Sequence, residues 1–306
     1  MKIKIPVIHH SLGLTSGAGI LFLLASGAFA QNMFIGNEGS HSVIEIPTTG
    51  PQSTFATSLQ YPNALAFDSS GDLFVADEFS GAIDEYAPGG GAPTTFASGL
   101  NNPMSLAFDT AGDLFVGTQN NNILEYAVGG GPAMVFISGL SSPNSLAFDK
   151  AGNLFVVNQA GDVAGAGYVT KITPGKVQST FASGFSNPNS LAFNAAGDLF
   201  VSSGNAGTIT EITPGGTPTP FASGLNAPDG LAFDNQGDLF VTDAGVNMQN
   251  GDLTEFLAGG GENVTTPVSK PISIAFQGEM LPVPEPSVLG LVGVGIATLM
   301  IYRRKA

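Results

Sequence analysis

Short apolar runs recur along the chain, and each is set off from the next by Gly, Asp, Asn, Ser or Pro. The clearest unit begins at Leu65-Ala66-Phe67. Asp68-Ser69-Ser70-Gly71-Asp72 follows, then Leu73-Phe74-Val75, then a third run over residues 82–86. Pro88-Gly89-Gly90-Gly91 breaks the chain before Thr94-Thr95-Phe96-Ala97, and Ser98-Gly99-Leu100 with Pro103 leads into the next unit. Runs this short, bounded by turn residues, predict strands rather than helices. Gly71 is expected to take the positive φ that a bulged hairpin turn requires. Further copies of the opening run start at Leu106, Leu146, Leu191 and Leu231, with a worn copy at Ile274, spaced 41, 40, 45, 40 and 43 residues apart.

A period near forty with four strands per unit predicts an all-β, six-bladed β-propeller with four-stranded blades. The first strand-like run, Met33-Phe34-Ile35, has the sequence of a second strand, and the last, residues 272–276, that of a first strand. One blade is therefore expected to be shared by the two ends of the chain, closing the ring and removing two exposed sheet edges. Phenylalanine follows the same plan. Of 22 in the chain, six fall in first strands, six in second strands and five in fourth strands, at Phe55, Phe96, Phe136, Phe181 and Phe221. Residues that recur this regularly are expected to pack between blades rather than to form a ligand platform.

Composition narrows the picture. The chain has 306 residues and no cysteine, so disulfides and thiolate chemistry are excluded and stability must come from burial. Between residues 31 and 282, four lysines face 23 of the chain's 24 carboxylates. Such a surface repels phosphate, which argues against a nucleic-acid partner, and favours cations. Residues 1–30 carry Lys2 and Lys4, an apolar stretch over 17–25 and small residues at Ala28-Phe29-Ala30, the pattern of a secretory signal peptide. The propeller is expected to occupy residues 31–280.

The repeats resemble the NHL-repeat and gluconolactonase/regucalcin group of propellers. Pro-Asn-Ser-Leu-Ala-Phe-Asp at 143–149 and Pro-Asp-Gly-Leu-Ala-Phe-Asp at 228–234 carry the likeness, which runs over residues 32–277. At the other end, Pro284-Glu285-Pro286 precedes an apolar stretch over 288–302 and the basic cluster Arg303-Arg304-Lys305. Residues 281–306 thus resemble the PEP-CTERM sorting signal of Gram-negative bacteria. That resemblance implies an exosortase-type protease as partner. It also implies a transient anchor in the inner membrane through the C-terminal helix, and delivery to the cell surface or extracellular matrix. The stretch is short for a permanent span: fifteen helical residues reach roughly 22 Å against a hydrocarbon core of about 30 Å.

Little in the sequence supports catalysis. His41 is the one histidine beyond the signal segment, no Gly-x-Ser-x-Gly motif accompanies it, and zinc ligands are missing. His41 reads as a surface loop residue. The residue after each blade proline should sit near the central channel; in order these are Asn63, Met104, Asn144, Asn189, Asp229 and Ile272. In gluconolactonase-like propellers such positions hold a divalent metal. The resemblance maps Asn144, Asn189 and Asp229 onto three ligands and places Asn63 where the family has its glutamate. The metal reading therefore names Asn63, Asn144, Asn189 and Asp229, with Ca²⁺ or another divalent cation as guest. The plainer reading is that Asn and Asp after Pro initiate turns. A second ring, at the ends of the second strands, comprises Asn37, Asp77, Thr118, Asn158, Ser203 and Asp243, and is expected at the same mouth. The longest connections between second and third strands, residues 159–167 and 244–251, are expected to offer a rim for an exopolysaccharide or a surface protein. Two functions follow: an exported, non-catalytic binding or structural propeller, or a metal-dependent lactonase-like hydrolase with Asp229 as base.

Overall fold

The computed structural model describes residues 31–161, 164–244 and 251–278, and of residues 263–267 the backbone. The expected signal segment (1–30) and sorting segment (281–306) lie outside the described residues. Among the described residues no helix is long and apolar enough to cross a membrane.

Among the described residues, twenty-four strands form six four-stranded antiparallel sheets. Blade one holds β1 (Met33–Asn37), β2 (Ser42–Ile46) and β3 (Ser53–Ala56). Blade two holds β4 (Pro62–Phe67), β5 (Leu73–Asp77), β6 (Ala82–Tyr86) and β7 (Thr94–Ala97). Blade three runs through β8 (Pro103–Phe108), β9 (Leu114–Thr118), β10 (Asn122–Tyr126) and β11 (Met134–Ser138). Blade four comprises β12 (Pro143–Phe148), β13 (Leu154–Asn158), β14 (Gly167–Ile172) and β15 (Gln178–Phe185). Blade five comprises β16 (Pro188–Phe193), β17 (Leu199–Ser203), β18 (Thr208–Ile212) and β19 (Pro218–Ser223). Blade six comprises β20 (Pro228–Phe233), β21 (Leu239–Asp243), β22 (Gly251–Phe256) and β23 (Glu262–Val268). The last strand, β24 (Pro271–Phe276), pairs with β1, Met33 opposite Phe276, and completes blade one as its innermost strand. The six innermost strands touch in sequence, β4, β8, β12, β16, β20 and β24, and β24 returns to β4. The ring is closed as the sequence predicts.

Local chemistry explains each hairpin. The Asp that follows the first strand folds its own turn: Asp68 Oδ1 accepts from the backbone N–H groups of Ser70 and Asp72, both at 2.9 Å. Asp109, Asp149 and Asp234 repeat this pattern. Gly71 sits in the turn at φ 88°, a conformation that glycine reaches without steric cost.

The core lies between blades rather than within one central mass. Six apolar clusters fill the wedges between neighbouring sheets. In the wedge between blades three and four, Phe115 meets Phe136 of its own blade at 4.9 Å and Phe148 of the next blade at 5.0 Å, both edge to face. The triplets 34/55/67, 74/96/108, 155/181/193 and 200/221/233 reproduce this geometry. Each second-strand ring thus joins its own sheet to the neighbour, through a contact worth about 0.5–1.5 kcal/mol beyond area burial.

Candidate functional site at the channel mouth

The innermost strands enclose a central channel of about 840 Å³. All four residues of the expected metal set, Asn63, Asn144, Asn189 and Asp229, line it, with Met104 and Ile272 completing the ring. Backbone geometry places them there. Asn63, Met104, Asn144 and Ile272 are each the extra residue of a bulge between the first and second strands of their blades. The pairings of blades five and six are interrupted across Asn189 and Asp229. A bulge frees one residue from the ladder and re-aims its side chain. Hydroxyl groups one position further on stitch inner strands together: Ser105 Oγ donates to Pro143 O at 2.9 Å and Ser273 Oγ to Pro62 O at 2.8 Å.

The ring is uneven. Asn189 is held on both sides of its amide, Nδ2 donating to Pro228 O at 3.2 Å and Oδ1 accepting from Gln159 Nε2 at 3.1 Å. Asn63 Nδ2 donates to Glu78 Oε2 at 2.8 Å. One of the two lone pairs of the Asn189 oxygen is thus already taken by Gln159. Among the described residues no group of three or more His, Cys, Asp or Glu stands close enough to hold a metal. As arranged, the set gives a divalent ion one carboxylate and no ready cage.

Asp229 is the one carboxylate of this ring. It sits deep in the wall of the channel and keeps part of its surface open to the lumen. None of the described residues hydrogen-bonds its carboxylate. Burial, and secondarily the negative charge of Glu38, push its pKa up to about 7.

Two carboxylates that the repeat pattern did not single out stand beside it. Glu38 and Glu78 each directly follow the last residue of a second strand, in blades one and two. Glu78 accepts from Asn63 and, at 3.4 Å, from Asn102, while burial holds its own pKa above the ordinary carboxylate range. Glu38 is paired with Lys270 at 3.1 Å and lies near the Tyr61 hydroxyl. Burial raises the Tyr61 pKa, and Glu38, Asp229 and Glu78 raise it further. That one hydroxyl senses all three carboxylates, which gathers them into one sector formed by blades six, one and two. The Tyr61 ring lies 4.8 Å from that of Phe79, which is 60% exposed.

The expected second ring is not at the mouth. Asn37, Asp77, Thr118, Asn158, Ser203 and Asp243 are all buried. The carboxylates and amides hold loop backbone. Asp77 Oδ1 accepts from the N–H groups of Gln60 at 3.0 Å and Tyr61 at 2.6 Å, Asn158 Oδ1 from Ser141, and Asp243 Oδ2 from Asn226. An unsatisfied buried N–H is costly, so these side chains are fixed by the loops they cap. The residues that reach the ring are one position later, where Glu78 and Gln159 stand. His41 is exposed in the turn after β1, with Nδ1 3.0 Å from Gln60 O. Of the two long connections, residues 162–163 and 245–250 lie outside the described residues.

No family model matches the chain, and no curated protein matches it. Solved structures do share its fold. A chain from a nidogen/laminin complex superposes with a TM-score of 0.70 at 19% identity, covering 81% of this chain and 98% of that one. Virginiamycin B lyase from Staphylococcus aureus gives 0.59 at 17% identity, covering 83% and 88%. A candidate gluconolactonase gives 0.57 at 15% identity, covering 68% and 78%. At these identities the likeness is one of fold: the chain is an all-β six-bladed propeller of the architecture shared by binding proteins and enzymes alike.

Proposed function

We propose that this is an exported, non-catalytic binding propeller of the bacterial surface or extracellular matrix. Its recognition surface is the channel mouth. The observation that carries the reading is the charge of the mouth: both sides of the Asn189 amide and the Nδ2 of Asn63 are hydrogen-bonded to protein partners, while Asp229, Glu38 and Glu78 form a negative, partly open sector beside an exposed aromatic ring. Such a mouth recognises a ligand by charge and shape. Lactone hydrolysis needs more, namely a polarising ion and a base aligned on one carbonyl. The fold likeness to a chain solved in a nidogen/laminin complex is consistent with a propeller used for association. Export rests on the sequence of residues 1–30 and 281–306, with an exosortase-type protease as partner and exopolysaccharide or surface proteins as ligands.

Thermal unfolding with excess calcium and with chelator, alongside lactone hydrolysis by the same sample, tests this reading. The expected outcome is coincident curves and no turnover. A metal that binds the folded state alone stabilises by about 2.7 kcal/mol at a hundredfold excess over Kd. A calcium-dependent rise of that order, lost in Asp229→Ala and accompanied by turnover, would establish the hydrolase instead. For sorting, replacing Pro284, Glu285 and Pro286 by alanine should hold the protein in the inner-membrane fraction. Equal release of both forms into the medium would overturn the exosortase route.

A further inference from the structure

We infer that the sector of the channel mouth formed by blades six, one and two binds an organic ammonium ion with an apolar body. Its charge would lie among Asp229, Glu38 and Glu78, and its body against Phe79, Tyr61 and the channel wall. The inference deepens the binding-protein reading and rests on it.

Three independent observations converge. First, Asp229 is a deeply placed carboxylate, aimed into the channel, with no hydrogen-bond partner among the described residues. Burying an ionised carboxylate without a partner is expensive, and a protein that keeps one gains when a cation arrives. Lys270, the cation of this sector, is already engaged by Glu38. Second, Phe79 leaves 60% of its surface in water while its ring lies tilted at 46° against that of Tyr61. An exposed aromatic face beside carboxylates suits a diffuse cation, which it attracts through its ring quadrupole. Third, below the polar ring the channel wall turns apolar, with Leu65, Leu231 and Ile274 lining this sector. That stretch of wall can bury a hydrocarbon chain.

The spacing of the carboxylates selects the kind of cation. They are near enough to act together on Tyr61, yet no three acidic groups converge as a metal cage. A small divalent ion needs six or more oxygens at 2.3–2.6 Å, about the geometry of a calcium site, and is poorly served. A bulky ammonium spreads its charge over a surface that separated carboxylates can share. A neutral sugar would take the aromatic face but gain nothing from the charge.

The test is equilibrium binding to the intact protein, by calorimetry at low ionic strength. The probes are hexyltrimethylammonium chloride, choline chloride, the uncharged choline isostere 3,3-dimethyl-1-butanol, and calcium chloride. Hexyltrimethylammonium should bind more tightly than choline, and the uncharged alcohol at least about tenfold more weakly than choline. Asp229→Asn should weaken ammonium binding about tenfold or more. Phe79→Ala, at a position 60% exposed, should weaken it roughly three- to tenfold. If Asp229→Asn misfolds, Glu78→Gln takes its place. Equal binding of choline and the alcohol would overturn the inference, as would ammonium binding indifferent to every variant. Calcium binding that depends on Asp229 and excludes ammonium would replace it with an inorganic site. Absence of ammonium binding sinks this inference alone. Asp229-dependent lactone turnover in the same sample would sink the binding-protein reading beneath it.

Discussion

A methyl group placed on Gly117 would land 2.7 Å from the carbonyl oxygen of Pro143 and against the Ser105 hydroxyl. Those are the atoms whose hydrogen bond joins the inner strands of blades three and four. Gly117→Ala should therefore cost about 1–3 kcal/mol, as overpacking does, measured by chemical denaturation. A cost below about 0.5 kcal/mol would mean that the inner strands separate easily. Asp229 sets a second expectation at this scale. Its pKa lies near 7 in the folded protein and near 3.8 when exposed, so between those values the folded state holds the extra proton. The stability contributed by this group is fully present below about pH 4 and is lost as pH rises toward 7. Asp229→Asn removes that loss. The unfolding free energy of the variant should gain on that of the parent between pH 4 and 7, and the difference should level off above. A difference that stays constant with pH would show that Asp229 is not perturbed. Individual residues were only partly legible in the sequence. The residue after each blade proline was placed correctly at the channel, because its position in the repeat is fixed. The second ring was displaced by one residue. Asp77 and Glu78 are adjacent acids at a strand end, and only the loop amides of Gln60 and Tyr61 decide that the first turns inward while the second reaches the mouth. Nor did the repeat reveal that Tyr61 and Phe79, eighteen residues apart, share one face.

At the scale of the element, each blade is a four-stranded sheet irregular at both margins. The inner irregularity aims a side chain at the channel. The outer one lies between third and fourth strands, and its extra residue is Phe55, Phe96, Phe136, Phe181 or Phe221. In blade six the same register position is Thr265. This explains why the fourth strands, which are mostly polar and exposed, nonetheless contribute a ring to the core: the bulge turns that one residue inward. The two aromatic positions should differ in energy. Phe115 is 3% exposed and meets rings of two blades, so Phe115→Ala should cost about 3–5 kcal/mol. Phe221 is 40% exposed, and its truncation should cost less than half as much. Equal losses would mean that the outer ring is as essential as the inner one. Strand order and strand ends were legible because turn residues mark them. The bulges were not, since an extra residue leaves no compositional trace.

At the scale of the molecule, closure depends on one strand that is distant in sequence. β24 pairs with β1 across 243 residues at Met33 and Phe276, and Ile35 pairs with Ile274 in the same ladder, so the ring holds only when both ends of the propeller meet. Ending the chain at residue 270 should abolish cooperative unfolding and expose β1 as a free edge, seen as aggregation and loss of a single sharp thermal transition. A shortened protein that melted as one unit near the parent temperature would show that five complete blades suffice. Circular closure was predictable from the split repeat, and it has a consequence in time. Residues Met33 and Phe276 belong to one sheet but are synthesised 243 residues apart. At about 5–20 residues per second, the inner edge of β1 waits on the order of ten to fifty seconds for its partner. Throughout that delay its unpaired backbone is an open edge to which another chain can pair. A factor that shields the first forty residues of the fold would speed maturation, whereas one that acts on later blades would not.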